Sequence, residues 1–302
     1  MKFQEAWATV KETAKDWSDD NASRLAASLA YYTLLSLAPL LVITIAVLGL
    51  VLGPDAARGK VVGELGSVVG VTAAEGIQAV VASARSPSSG VIGTIVGVVT
   101  LLVGASGVFG ELQTALDTIW EVEPKPGRGI LGVIKDRFLS FTMVLGVAFM
   151  LLVSLVLSAG LSAVGEVFAH ALPGGEIVWQ IINLAFSFGM VTVLFAMIFK
   201  YVPDAKVQWR DVWLGAAVTS LLFTIGKWGL GIYLGKAALS SSYGAAGSIV
   251  ALVVWVYYAA QILFMGAEFT QVQARRRGRE IQPSQGAIRK PEADRSPAEQ
   301  RA

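Results

Sequence analysis

Residues 221–235 read LLFTIGKWGLGIYLG, an apolar and glycine-bearing run interrupted by one full charge, Lys227. An ionisable residue inside a membrane-length apolar segment is costly. It marks a substrate or ion contact unless its alkyl stem lets the ammonium group snorkel to the interface. Ser220, Thr224 and Lys227 stand at i, i+4 and i+7, so a helix puts them on one face, where they suit a phosphate or carboxylate headgroup. A second stripe runs through Tyr258, Gln261, Met265 and Glu268 at intervals of 3, 4 and 3. Four such residues on one face do not belong against lipid; they line a cavity or hydrogen-bond to a neighbouring helix. A third face carries Gly93, Gly97, Thr100, Gly104 and Gly107 and ends at Glu111. Small residues let helix backbones approach closely, so helix packing is the expected role of those glycines.

Other chemistry is thinly supplied. The chain has no cysteine and one histidine, His170. Disulfides, thiolate metal sites and thiol catalysis are excluded, and no G-x-x-x-x-G-K-[ST] phosphate loop occurs. No nucleophile–base pair or metal-ligand cluster is visible. No enzyme activity, cofactor or metal is expected.

The elements that must position these residues follow from hydropathy. Of 302 residues, 54% are hydrophobic and only 15% charged, and the mean hydropathy is +0.62. Soluble domains carry about a quarter charged residues. Six stretches approach the roughly 20 apolar residues that cross a bilayer: about 25–52, 90–110, 138–164, 177–199, 212–234 and 247–269. Pro39 lies inside the first and is expected to act as a hinge, because a mid-helix proline removes a backbone hydrogen bond. Nineteen Lys and Arg residues fall on one side of this arrangement and four on the other, Lys227 apart. Both termini are therefore expected in the cytoplasm. At a rise of 1.5 Å per residue, Lys227 lies about 22 Å from the cytoplasmic side. Glu111 and Glu268 lie near that side, too far for a direct ion pair with it. Its partner is then a headgroup or an outer carboxylate such as Asp55, Glu64, Glu75, Glu166 or Glu176.

Phe3, Trp7, Val10, Ala14 and Trp17 recur at spacings of three or four, with charges on the other face. Residues 1–20 thus read as an amphipathic helix on the membrane surface or packed on the cytoplasmic loops. Between the first two spans, residues 54–89 form an extracytoplasmic segment with short amphipathic helices. Residues 21–270 make the six-helix membrane domain. The polar, proline-bearing stretch 271–302 is expected to be a disordered basic cytoplasmic tail. Its RRRGR run reads as a topology anchor that attracts anionic headgroups, worth about 1 kcal/mol per charge. A weak hairpin repeat relates GVIGTIVG (90–97) to GAAGSIVA (244–251).

Four stretches together resemble the BrkB/YihY family of bacterial inner-membrane proteins: LAASLAYYTLLSLAPLL (25–41), GASGVFGELQTALDTIWEV (104–122), YVPDAKVQWRDVWLGA (201–216) and SSYGAAGSIVALVVWVYYAAQILFMGAEF (241–269). The resemblance covers about residues 20–272. It implies an all-α integral membrane protein of six helices and a virulence association. It transfers no catalytic residue, and the family's older ribonuclease label finds no acid–base pair or ligand cluster here. The expected function is a transporter or flippase-like protein for an amphipathic envelope molecule, a lipid or glycolipid. A non-transporting scaffold in envelope assembly is the alternative. Membrane lipids are the expected partners, with other envelope proteins next and nucleic acid excluded.

Overall fold

The computed structural model describes residues 3–53, 55–57, 59–61, 63, 107–126, 175–236, 246–279 and 281–290. The third expected span, most of the second, His170, Gly93, Gly97 and Gly104 lie outside the described residues.

The first helix, α1 (Phe3–Asp19), ends at two acidic residues and Asn21. Asn21 adopts φ 53°, a left-handed conformation that asparagine tolerates better than most residues. Only Asp20 and Asn21 separate α1 from α2 (Ala22–Leu52), which continues through Pro39 as one helix of 31 residues. Helical residues at 55–57 and 59–61 follow, with Ala57 and Val61 buried. The helix α3 covers residues 107–119 and leads into strand β1 (Val122–Pro124). Next come α4 (Gly175–Tyr201), β2 (Ala205–Lys206), α5 (Trp209–Lys236) and α6 (Ala246–Arg276). The short strands β3 (Gln282–Pro283) and β4 (Ala287–Arg289) close the described chain.

Among the described residues, three helical segments are long and apolar enough to cross a membrane: Trp179–Tyr201, Trp209–Gly229 and Val250–Arg276. They match the fourth, fifth and sixth expected spans, and α2 covers the first. The helix α6 packs against α1, α2 and α5, and α4 packs against α5. The buried core concentrates at one end of the bundle, where Leu116, Ile119 and Trp120 meet Phe199, Val207, Val212 and Phe264.

One expectation is corrected at that end. The described fold is mostly helical, consistent with an all-α membrane protein, and two short antiparallel two-stranded ribbons form outside the spans. In one, Val122 pairs with Arg289 and Pro124 with Ala287; in the other, Ala205 pairs with Pro283 and Lys206 with Gln282. The stretch from 271 to 290 is accordingly structured. Residues 271–274 are buried in α6. Gly278, at φ 66°, then reverses the chain. The Arg279 amide donates to the Ala274 carbonyl at 3.0 Å and the Gly278 amide to Arg275 at 2.9 Å. This is the paired 6→1 and 5→2 ending that favours glycine at the left-handed position. Polar composition suggested disorder, but the tail's backbone groups are satisfied by the loops after α3 and α4, and its charges by carboxylates elsewhere in the chain.

Candidate functional site

The helices α5 and α6 cross through two matched pairs. Gly215 and Thr219 stand one turn apart on α5, Gly266 and Thr270 one turn apart on α6. Each threonine hydroxyl donates to the carbonyl of the glycine on its own helix, at 2.7 Å in both cases. Each threonine also covers the opposite helix's glycine: a methyl group on Gly266 would fall 1.8 Å from Thr219 Oγ1. Higher on the same contact, the Tyr258 ring lies over Gly226, whose missing side chain leaves it room.

Below this crossing the charged residues of the bundle end converge. Arg275 of α6 donates to Glu12 Oε1 at 2.7 Å and to Asp16 Oδ2 at 2.6 Å, both on α1. Arg276 adds a bond to Glu12 Oε2 at 2.7 Å. Arg277 and Arg279 both reach Asp211 Oδ1 at the start of α5. The RRRGR run is therefore engaged in protein ion pairs, which corrects its reading as a headgroup-attracting anchor. Burial pushes both α1 carboxyls up. For Glu12, 29% exposed, the two guanidinium groups outweigh burial and hold it below the usual range. Asp16 is 5% exposed, and there burial wins and keeps it raised despite Arg275.

A second carboxyl group set lies beside this clasp. Glu268 is fully buried on α6 and interacts with Asp20, in the turn between α1 and α2. Burial pushes the Asp20 carboxyl up to about 6. Glu268 and Lys290 act against that rise, and Asp16 and Glu121 add to it. Glu121, just after α3, accepts from Gln271 Nε2 at 2.9 Å and through its backbone carbonyl from the Lys290 amide at 2.8 Å. Four segments thus meet at one half-buried, titratable group, Asp20: the α1–α2 turn, the end of α3, α6 and the tail.

The other sequence-singled residues are distributed differently. Ser220 is buried and donates to Ala216 O at 2.8 Å; Thr224 is exposed and donates to Ser220 O at 2.7 Å. Lys227 is exposed beside exposed Ile225 and Trp228. It makes no ion pair or hydrogen bond among the described residues. The Tyr258 stripe divides along its length. Tyr258 is 37% exposed, Gln261 is half-buried, and Glu268 has no exposure. Gly107 lies against Ser36 and Tyr32 of α2, with ordinary contact distances of 3.4 and 3.7 Å for an added methyl group. Sequence reasoning missed Asp20, Glu121, Asp211, Gly215 and Gly266. The two Gly-x-x-x-Thr spacings were the available signal for the last two.

A family model described as virulence factor BrkB matches residues 13–290. A UPF0761 membrane protein of Rhodospirillum centenum is 27% identical over 275 residues, covering 89% of this chain and 58% of the relative. One from Methylibium petroleiphilum is 29% identical over 272 residues, covering 86% and 60%. One from Alteromonas mediterranea is 27% identical over 260 residues, covering 85% and 84%. The chain thus spans about six-tenths of the length of the first two of these relatives. No solved structure matches it. A model match over residues 13–290, most of the chain, means that the chain belongs to the virulence factor BrkB family of membrane proteins.

Proposed function

We propose that this chain is a gradient-driven carrier, not an enzyme, that moves an amphipathic envelope molecule such as a lipid or glycolipid across the bacterial inner membrane. Its termini lie in the cytoplasm in this reading. The observation that carries the reading is the fully buried Glu268 on α6 with the half-buried Asp20 beside it, whose carboxyl is pushed up. Intramembrane or near-membrane carboxyl groups that share a proton are what proton-linked carriers use to couple two conformations. A protein without a phosphate loop has to draw on a gradient or a partner. Lys227, with Thr224 and Ser220, supplies the candidate headgroup contact on α5. Tyr258 of α6 lies over Gly226 of α5, and Gln261 follows it on the same stripe.

The test is reconstitution with fluorescent NBD-phosphatidylglycerol and external dithionite, with and without a pH gradient. Wild type should move the probe faster than empty vesicles, and the gradient should change that rate. Glu268→Gln should lose the gradient effect, and Lys227→Ala should slow movement about tenfold, as expected for one lost ionic contact of about 1.4 kcal/mol. A wild-type rate equal to that of empty vesicles, for this probe and for a glycolipid analogue, would remove the reading. The second reading, a scaffold, is favoured by the interlocked α5–α6 crossing and the arginine clasp, which suit a rigid platform. It predicts a partner that co-purifies in fixed ratio and survives both substitutions.

A further inference from the structure

The first helix is docked the wrong way round for a soluble protein. Its polar face turns inward: Thr9, Thr13 and Asp16 are buried, and Glu12 and Asp16 are held by Arg275 and Arg276. Most of the described apolar face turns outward, with Trp7 65% and Val10 53% exposed and Ala14 exposed one turn further on, while Trp17 at its end packs partly buried against the core. At 100° per residue, Trp7, Val10 and Ala14 fall within one narrow sector opposite Glu12 and Asp16. Lys11 and Lys15, both exposed, lie on one side of that sector, beyond Trp7.

From this we propose that the outward face of α1 lies in the headgroup region of the bilayer, held by Trp7 and Val10 and by anionic lipid at Lys11 and Lys15. Three observations select a bilayer as the occupant. Only two residues join α1 to α2, so the helix ends at the mouth of a membrane-length helix. The side that would ordinarily contact water is already used for docking. Tryptophan beside lysine is the composition of an interfacial face, with burial of about 5–10 Å into the headgroup boundary. The arginine clasp then fixes the rotation of α1 about its axis, and the bilayer covers what the clasp leaves bare. The inference is independent of transport, since a scaffold would dock in the same way.

The chain has no cysteine, so Val10→Cys and, separately, the exposed tail position Gln285→Cys each carry a single nitroxide label in the full chain. The protein is reconstituted into phosphatidylethanolamine–phosphatidylglycerol vesicles and into phosphatidylcholine vesicles. Collision with oxygen and with a water-soluble nickel chelate reports depth. The Val10→Cys label should favour oxygen over nickel by about threefold more than the Gln285→Cys label, as a headgroup-level position requires. That preference should weaken without phosphatidylglycerol, and the further changes Lys11→Gln and Lys15→Gln should abolish the lipid dependence. Equal nickel access at both positions would overturn the proposal. So would dipolar broadening at Val10→Cys, which would mean that a second copy covers the face. A depth that ignores lipid charge and both lysines would overturn the anionic-lipid assignment.

Discussion

Thr270 occupies the space that a side chain at residue 215 would need. A methyl group on Gly215 would fall 1.7 Å from Thr270 Oγ1 and 2.9 Å from its Cβ. The hydroxyl cannot swing away freely, because it is bonded to Gly266 O. Gly215→Ala should therefore destabilise the protein by about 1–3 kcal/mol or more through overpacking, and Gly266→Ala should do the same against Thr219. Thermal unfolding in detergent would check this. Adding Thr270→Ala to Gly215→Ala should restore only part of the loss, since the two Cβ atoms still collide. Gly107→Ala, which meets its neighbours at ordinary distance, should be close to neutral.

Arg275 joins two carboxylates of α1, whereas Arg276 reaches only Glu12 and is more exposed. Breaking the first leaves the buried Asp16 without its guanidinium partner. Arg275→Ala should thus free α1, raising hydrogen exchange across residues 3–19 well above wild type, while Arg276→Ala should raise it much less. The loss at Arg275 is expected at about 1–3 kcal/mol, below that of a fully buried pair because Glu12 is partly solvated. Equal exchange in the two variants would contradict this ranking.

The raised carboxyl of Asp20 gives a signed pH dependence. Its pKa is about 6 in the folded chain against an ordinary value of 3.8, so the folded state holds the proton more tightly. Between those values stability falls as pH rises, and the whole penalty is present above about pH 6. Asp20→Asn should raise the melting temperature at pH 7–8, by an amount equivalent to about 1–3 kcal/mol, and should have little effect below pH 4. Glu12, held below its ordinary value, behaves in the opposite sense: its contribution is present at neutral pH and is lost on acidification. Melting curves of wild type and Asp20→Asn from pH 4 to 8 separate the two.

The tail strands satisfy backbone groups of distant loops. The Ser284 amide donates to Asp204 O at 2.8 Å, and the Asp204 amide in turn donates to Asp117 Oδ1 at 2.7 Å. A chain ending after Arg279 keeps the arginine clasp but loses both ribbons. It should become cleavable by limited proteolysis in the 202–208 loop while α1 stays protected. Protection of that loop in the shortened chain would show that the ribbons are dispensable.

Hydropathy located α2, α4, α5 and α6, because a membrane-length apolar run has few alternatives; α1 was legible from its periodicity, and most of α3, beyond the second expected span, was not. Glu268 was also legible, since a carboxylate on a largely apolar helix stands out. Its partner was not: Asp20 sits 248 residues earlier in an unremarkable acidic turn, and nothing local links the two. The 3.6-residue pattern of α1 showed which residues share a face. It could not show which face meets protein, since that depends on arginines at the far end of the chain. The tail failed as a composition argument for the same reason. Arg275–Arg279 resemble a solvated run until Glu12, Asp16 and Asp211 are brought beside them. The sequence set Lys227 on a helix face with Ser220 and Thr224 but not what that face meets; on α5 the lysine is exposed.

The ion pair between Asp16 and Arg275 spans 259 residues, and that separation dictates an order of events during synthesis. Domains form from the N-terminal end as the chain emerges, so α1 leaves the ribosome before its guanidinium partners exist. It must wait, untethered on its polar side, until the last spanning helix has been made. The clasp can close only once the chain has been translated through Arg275 and Arg276. A product broken off upstream of residue 275 keeps a loose first helix, a difference that a quality-control protease acting at the membrane could read as the mark of an unfinished molecule.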